Sequence, residues 1–185
     1  MQQNLKSVCI YCGSRPGARP AYMEEAGKTG SMLARNGWRL VYGAGDVGIM
    51  GMVARATQAA GGQSLGVIPV HLINREKGKR DLDTFIVTET MHERKKVMFM
   101  NADAVVMLPG GAGSLDEFFE VLTWRQLGLH AKPVILLNTA GYWTPLRALL
   151  DHIVSEGFAD ATLPAYVTIV DDVAALEAAL LAHLT

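Results

Sequence analysis

Cysteine, clustered histidine, a surplus of basic charge and long apolar runs are all scarce in this sequence, and each scarcity excludes a class of protein. Two cysteines in 185 residues cannot build a disulfide framework. The five histidines show neither H-x-x-x-H nor a mixed Cys/His ligand spacing, so no metal centre is expected. Seventeen Lys and Arg stand against 18 Asp and Glu, a formal net charge of −1, which argues against a nucleic-acid partner. No segment reaches the roughly 18 uninterrupted apolar residues of a membrane-spanning helix, and the start MQQNLKSVCIYCG is too briefly apolar for a secretory signal. Charged residues make up only 19% of the chain and apolar ones 50%, a balance that buries a core rather than leaving the chain disordered. The expectation is one domain over residues 1–185, cytoplasmic, with no membrane partner.

What is present is an alternation. Apolar runs of strand length recur at Ser7–Tyr11, Arg39–Tyr42, Ser64–Ile68, Thr84–Thr88, Ala104–Leu108, Val134–Leu137 and Tyr166–Val170. They are continuous rather than alternating, as strands covered on both faces should be. Helical stretches separate most of them: about Pro20–Asn36, Val47–Ala60, Met91–Ala102, Leu115–Leu127, Pro145–Glu156 and Val173–His183, the last with Asp171–Asp172 as caps. The pattern predicts an α/β fold, a doubly wound and mainly parallel sheet of about seven strands with helices on both faces. Cys9 and Cys12 spell C-x-x-C, but on a strand they point to opposite faces and read as ordinary buried thiols.

Ligands of such sheets bind beyond the carboxyl ends of the strands. Three glycine-bearing turns fall there: Cys12-Gly13-Ser14-Arg15, Gly43-Ala44-Gly45-Asp46-Val47-Gly48 and Pro109-Gly110-Gly111-Ala112-Gly113-Ser114. The middle one matches G-x-G-x-x-G, yet the next strand brings no acid until Glu76, which argues against a dinucleotide. The third gives backbone access and opens a helix whose free amides suit a phosphate. With no Lys after its glycines, it is not the NTPase phosphate loop, and a monophosphate suits it better.

Ser114-x-x-Glu117 also spells a capping box. Asp116 and Glu117 beside a phosphate would be costly unless cations offset them. Arg94 lies next to the apolar stripe of the preceding helix, whereas Lys96 faces solvent. The periodicity leaves Arg94 either structural, paired with Asp103 or Glu117, or a ligand for phosphate.

Met91-His92-x-Arg94-Lys95, followed by Pro109-Gly110-Gly111-x-Gly113-Ser114-x-x-Glu117, resembles the Lonely guy family of cytokinin riboside 5′-monophosphate phosphoribohydrolases, long labelled possible lysine decarboxylases. The resemblance extends through Cys12-Gly13-Ser14, Tyr42-Gly43-x-Gly45, Gly48-x-Met50-Gly51, Thr123-Trp124, Gln126-Leu127-Gly128 and Leu137-Asn138. It implies a Rossmann-like fold, a homodimer, no cofactor, and hydrolysis of a nucleoside 5′-monophosphate such as AMP or N6-modified AMP. Carried over by position, Arg94 and Glu117 are its catalytic pair. Gly13, Ser14, Gly45, Glu76, Lys95, Gly111, Ala112, Gly113, Ser114, Leu115, Asp116 and Thr123 fall around the nucleotide. The departures are Ser114 where the family commonly has Thr, Ala112 where an aromatic residue is frequent, and Ala44 and Asp46 in place of Gly and Ser.

The implied chemistry suits these residues. Breaking an N-glycosidic bond builds positive charge on the sugar, which a carboxylate stabilises while orienting water. A guanidinium keeps its proton, so Arg94 is assigned to phosphate, to Glu117 or to charge on the departing base. The alternative is a noncatalytic carrier of a nucleotide or phosphorylated cofactor on the same fold. The apolar helix of Phe118, Phe119, Val121, Leu122, Trp124 and Leu127 further suggests a covered outer face.

Overall fold

The computed structural model describes residues 5–73 and 81–184. In chain order these form β1 (Ser7–Tyr11), α1 (Pro20–Arg35), β2 (Arg39–Tyr42), α2 (Gly48–Ala59), β3 (Ser64–Pro69), β4 (Thr84–Thr88), α3 (Met91–Met100), β5 (Ala104–Met107), α4 (Ala112–Gln126), β6 (Val134–Leu137), α5 (Thr144–Ser155), β7 (Thr168–Val170) and α6 (Val173–Leu184). All seven strands are parallel and lie in the order β4-β3-β2-β1-β5-β6-β7. The order reverses at β1 and β5, so the crevice for a ligand opens at the carboxyl ends of that central pair.

The strand pleat divides the core in two. Val8 and Ile10 of β1 pack with Leu33 of α1, Val53 of α2 and Leu176 of α6. Cys9 and Tyr11, on the opposite face, pack with Met98 of α3, Phe118 of α4 and Leu150 of α5. Cys12 belongs to the first cluster and Cys9 to the second, and the two form no disulfide. Burial first, then the nearby Glu117 carboxylate, pushes the Cys9 thiol far above its ordinary range, so it stays protonated and inert.

Local chemistry sets the element ends. Pro20 opens α1 without forfeiting a useful amide. Gly37, at φ +68°, closes it: Gly37 N–H bonds Ala34 O and Trp38 N–H bonds Leu33 O. Asp172 caps α6 by accepting from Ala175 N–H at 2.8 Å. β7 starts two residues later than the apolar run suggests, because Leu163–Tyr166 is a short 3-10 turn entered through Pro164. Among the described residues, no helix is long and apolar enough to cross a membrane.

Candidate active site

The three glycine-bearing turns meet, and main chain joins them. Gly13 N–H donates to Pro109 O at 3.0 Å, tying the turn after β1 to the turn after β5. Met50 N–H donates to Gly13 O at 3.2 Å, which ties in the turn before α2. A Cβ on Gly110 would stand 2.7 Å from Ser114 Cβ and 2.9 Å from Gly13 N, so only glycine permits this approach. Between the turns lies a cleft of about 680 Å³. Its walls include Gly13, Ser14, Arg94, Gly111, Ala112, Gly113, Ser114, Asp116 and Glu117.

Helix α4 begins at this cleft, three residues earlier than the sequence suggests. Gly111 is its N-cap, in an extended conformation, and no side chain caps it. The helix's first bond runs from Leu115 N–H to Gly111 O, so the amides of Ala112, Gly113 and Ser114 precede any intrahelical acceptor. Ser114 therefore sits in the third helical position with its side chain buried against Gly110, and the Ser114–Glu117 capping box does not form. One helical turn on, Glu117 is half-buried and faces the cleft.

The capping box of this site region belongs to α3. The Thr90 hydroxyl accepts from Glu93 N–H at 3.2 Å, and the Glu93 carboxylate accepts from Thr90 N–H at 3.1 Å. The helix so fixed carries Arg94 under the sheet to the ends of β2 and β3. Arg94 is 4% exposed. Its Nε donates to Val67 O at 3.1 Å and its Nη2 to Gly43 O at 2.6 Å. A Cβ on Gly43 would strike the guanidinium, which explains the glycine there. Asp103 is not the arginine's partner. It immediately precedes β5, at the opposite end of the sheet, where it accepts from Ser7 N–H at 2.8 Å.

Several residues implied by the resemblance stand apart from the cleft. Lys95 turns to the other side of α4, its amine 2.9 Å from Asp116 and 2.8 Å from Glu120. Burial alone would lower its pKa, but those two carboxylates outweigh it and raise it. Thr123 lies beside Lys95 on a separate shallow depression. Leu115 packs into the core against the α3–α5 face of the sheet. Gly45 is buried in its turn, its N–H 3.2 Å from Met50 Sδ. The preceding Ala44 is fully buried at φ +56°, a left-handed conformation that glycine would adopt without strain. Glu76 lies outside the described residues.

The cleft also has walls that motif reading missed. Tyr142 lines it, donates its hydroxyl to Gly110 O, and meets the ring of Tyr22 edge-on at 5.5 Å. The Tyr142 hydroxyl thus pins the turn that leads into α4. Met50, Leu72, Met91 and Met98 make an apolar flank near Arg94. The signal for Tyr142 was its position in the loop after β6, at the same carboxyl rim as the glycine turns.

A family model described as possible lysine decarboxylase matches residues 50–180. A cytokinin riboside 5′-monophosphate phosphoribohydrolase of Arabidopsis thaliana is 44% identical over 157 residues, covering 85% of this chain and 72% of that one. The chain belongs to the Lonely guy family of phosphoribohydrolases. A family member from Mycobacterium marinum is 42% identical over 166 residues, 90% of this chain and 88% of its own length. Among solved structures, the molybdenum cofactor carrier protein of Chlamydomonas reinhardtii has a TM-score of 0.73 over 98% of this chain and 99% of that one. At 23% identity, this likeness establishes the shared Rossmann-like fold. Within the family frame, the cleft brings together main-chain amides without intrahelical acceptors, a carboxylate one turn away and a buried guanidinium.

Proposed function

We propose that this chain hydrolyses the N-glycosidic bond of a nucleoside 5′-monophosphate, AMP or an N6-modified AMP, to free base and ribose 5-phosphate. The observation that carries the reading is that Glu117 and the uncapped start of α4 face one cleft. The 5′-phosphate sits on the amides of Ala112, Gly113 and Ser114, aided by the positive end of the helix. Three residues of helix rise, about 4.5 Å, then separate Ser114 from Glu117, a span that lets a ribose reach the carboxylate. Glu117 stabilises positive charge on the sugar and orients water toward the anomeric carbon. The water oxygen bonds to that carbon as the bond to the base nitrogen breaks. The bonding pair leaves with the base, and a proton from the water ends on the base or the carboxylate. Arg94, held by two carbonyls, supplies fixed positive charge to Glu117, to the phosphate or to the departing base. The phosphate provides remote binding energy that places the sugar.

The test follows base and ribose 5-phosphate from AMP, N6-isopentenyl-AMP and adenosine. Glu117→Gln is expected to lower turnover by about 10³-fold, in line with loss of a principal electrostatic group. Adenosine should be a far poorer substrate than AMP, and equal turnover of the two would overturn the cradle. Tight binding of AMP without release of base would favour the noncatalytic carrier. The ratio between the two nucleotides sets the base preference.

The assembly proposed here is a homodimer. Phe119 and Trp124 of α4 are only half-buried, and Leu127 and Leu129 just beyond them are 67% and 69% exposed. A second copy covering this face would remove that apolar surface from water. Light scattering at micromolar concentration should give twice the chain mass, and a monomer would refute it.

A further inference from the structure

We propose that Lys95 is a positioning residue that makes the start of α4 receptive to phosphate by drawing the charge of Asp116 away from the cleft, without touching the ligand. The proposal rests on the reading of the α4 amides as a phosphate cradle.

Helix α4 carries Asp116, Glu117 and Glu120 within its first nine residues. The first turn itself holds no acid, but one turn on these carboxylates oppose the anion that the first turn is meant to hold. Glu117 must stay charged for the proposed chemistry. Asp116 lines the cleft as well, and its side chain is 63% exposed, so its field would reach a bound phosphate. Lys95 answers that field. Its amine lies 2.9 Å from Asp116 Oδ2 and 2.8 Å from Glu120 Oε2, bridging two acids four residues apart along one side of the helix. Its side chain is only 7% exposed, and an ammonium is buried at such cost only where carboxylates repay it. Arg94 and Lys95 are neighbours on α3 that diverge, one to the carbonyls of Val67 and Gly43, the other to α4. One helix thereby delivers a cation to the cleft floor and a counter-charge to the acids beside it.

The probe is ribose 5-phosphate titrated calorimetrically into the native protein, Lys95→Met, Lys95→Met/Asp116→Asn, Lys95→Arg and Asp116→Asn. Lys95→Met is expected to weaken binding about tenfold at low salt, the effect of one uncovered charge a few ångströms away. The loss should shrink at high salt. Adding Asp116→Asn should restore affinity to within about twofold, and Lys95→Arg should retain most of it. Asp116→Asn alone, a change at an exposed side chain, should bind ribose 5-phosphate a few-fold more tightly. Undiminished affinity in Lys95→Met, no restoration in the double variant, or weaker binding in Asp116→Asn would each overturn the proposal. Failure of the native protein to bind ribose 5-phosphate would instead overturn the cradle itself.

Discussion

Two helices begin beside the cleft, and they begin in opposite ways. The start of α3 is closed: Thr90 and Glu93 exchange hydrogen bonds with each other's amides, so the chain satisfies its own donors. The start of α4 is open, with Gly111 as its cap and no side chain over the amides that follow. A closed start is a structural joint, and here it aims Arg94. An open start leaves its donors for something from outside the chain. The difference lies in which residue holds the cap position, since each helix carries a hydroxyl residue with a glutamate three places later. In α3 that hydroxyl stands at the cap, whereas in α4 it stands inside the first turn with its side chain against Gly110.

The comparison can be broken most severely by closing the open start. A Cβ on Gly111 meets nothing within 4 Å, and its backbone is extended, so Gly111→Asp is sterically admissible. The new carboxylate would cap α4 and occupy the ground proposed for the phosphate. The expected result is about a 100-fold rise in KM for AMP, together with a melting temperature equal to or slightly above that of the native protein. Gly111→Ser, capping without charge, should fall between. An unchanged KM in Gly111→Asp would place the phosphate elsewhere.

Opening the closed start is the smaller perturbation. Thr90→Ala should cost about 1 kcal/mol of stability in a denaturant titration, as loss of a cap does. It should leave KM near the native value, because the lost hydrogen bond serves the fold and not the ligand. A large KM effect from Thr90→Ala would erase the distinction between the two starts.

The fold was legible because its signals are local and repeated. Four strands, at Ser7–Tyr11, Arg39–Tyr42, Thr84–Thr88 and Val134–Leu137, have the bounds their apolar runs suggest. The alternation of strands and helices was enough to expect a parallel sheet. The start of α4 was not legible, since Ser114-x-x-Glu117 has the spelling of a cap while the close approach of Gly13 to Gly110 decides the matter. That approach joins residues about a hundred positions apart. The same holds for Arg94: helical periodicity shows it near buried surface, but only the crossing of α3 beneath β3 reveals that Val67 and Gly43 supply its acceptors. Lys95 shares a motif with Arg94 and so reads as its companion at the ligand. One residue's rotation about the helix axis sends it to Asp116 and Glu120 instead.

The bonds that join the glycine turns run from main chain to main chain: Gly13 to Pro109, Met50 to Gly13, Ile49 to Arg15. None of them runs through a side chain, although the close approach of Gly110 to Gly13 and Ser114 requires glycine there. The holder and the tool are therefore separately heritable. Substitution can rewrite what projects into the cavity, a carboxylate exchanged here or a methionine enlarged there, while the frame that gathers it is transmitted unaltered. A scaffold of this construction can change its chemistry through point changes and keep its architecture through all of them.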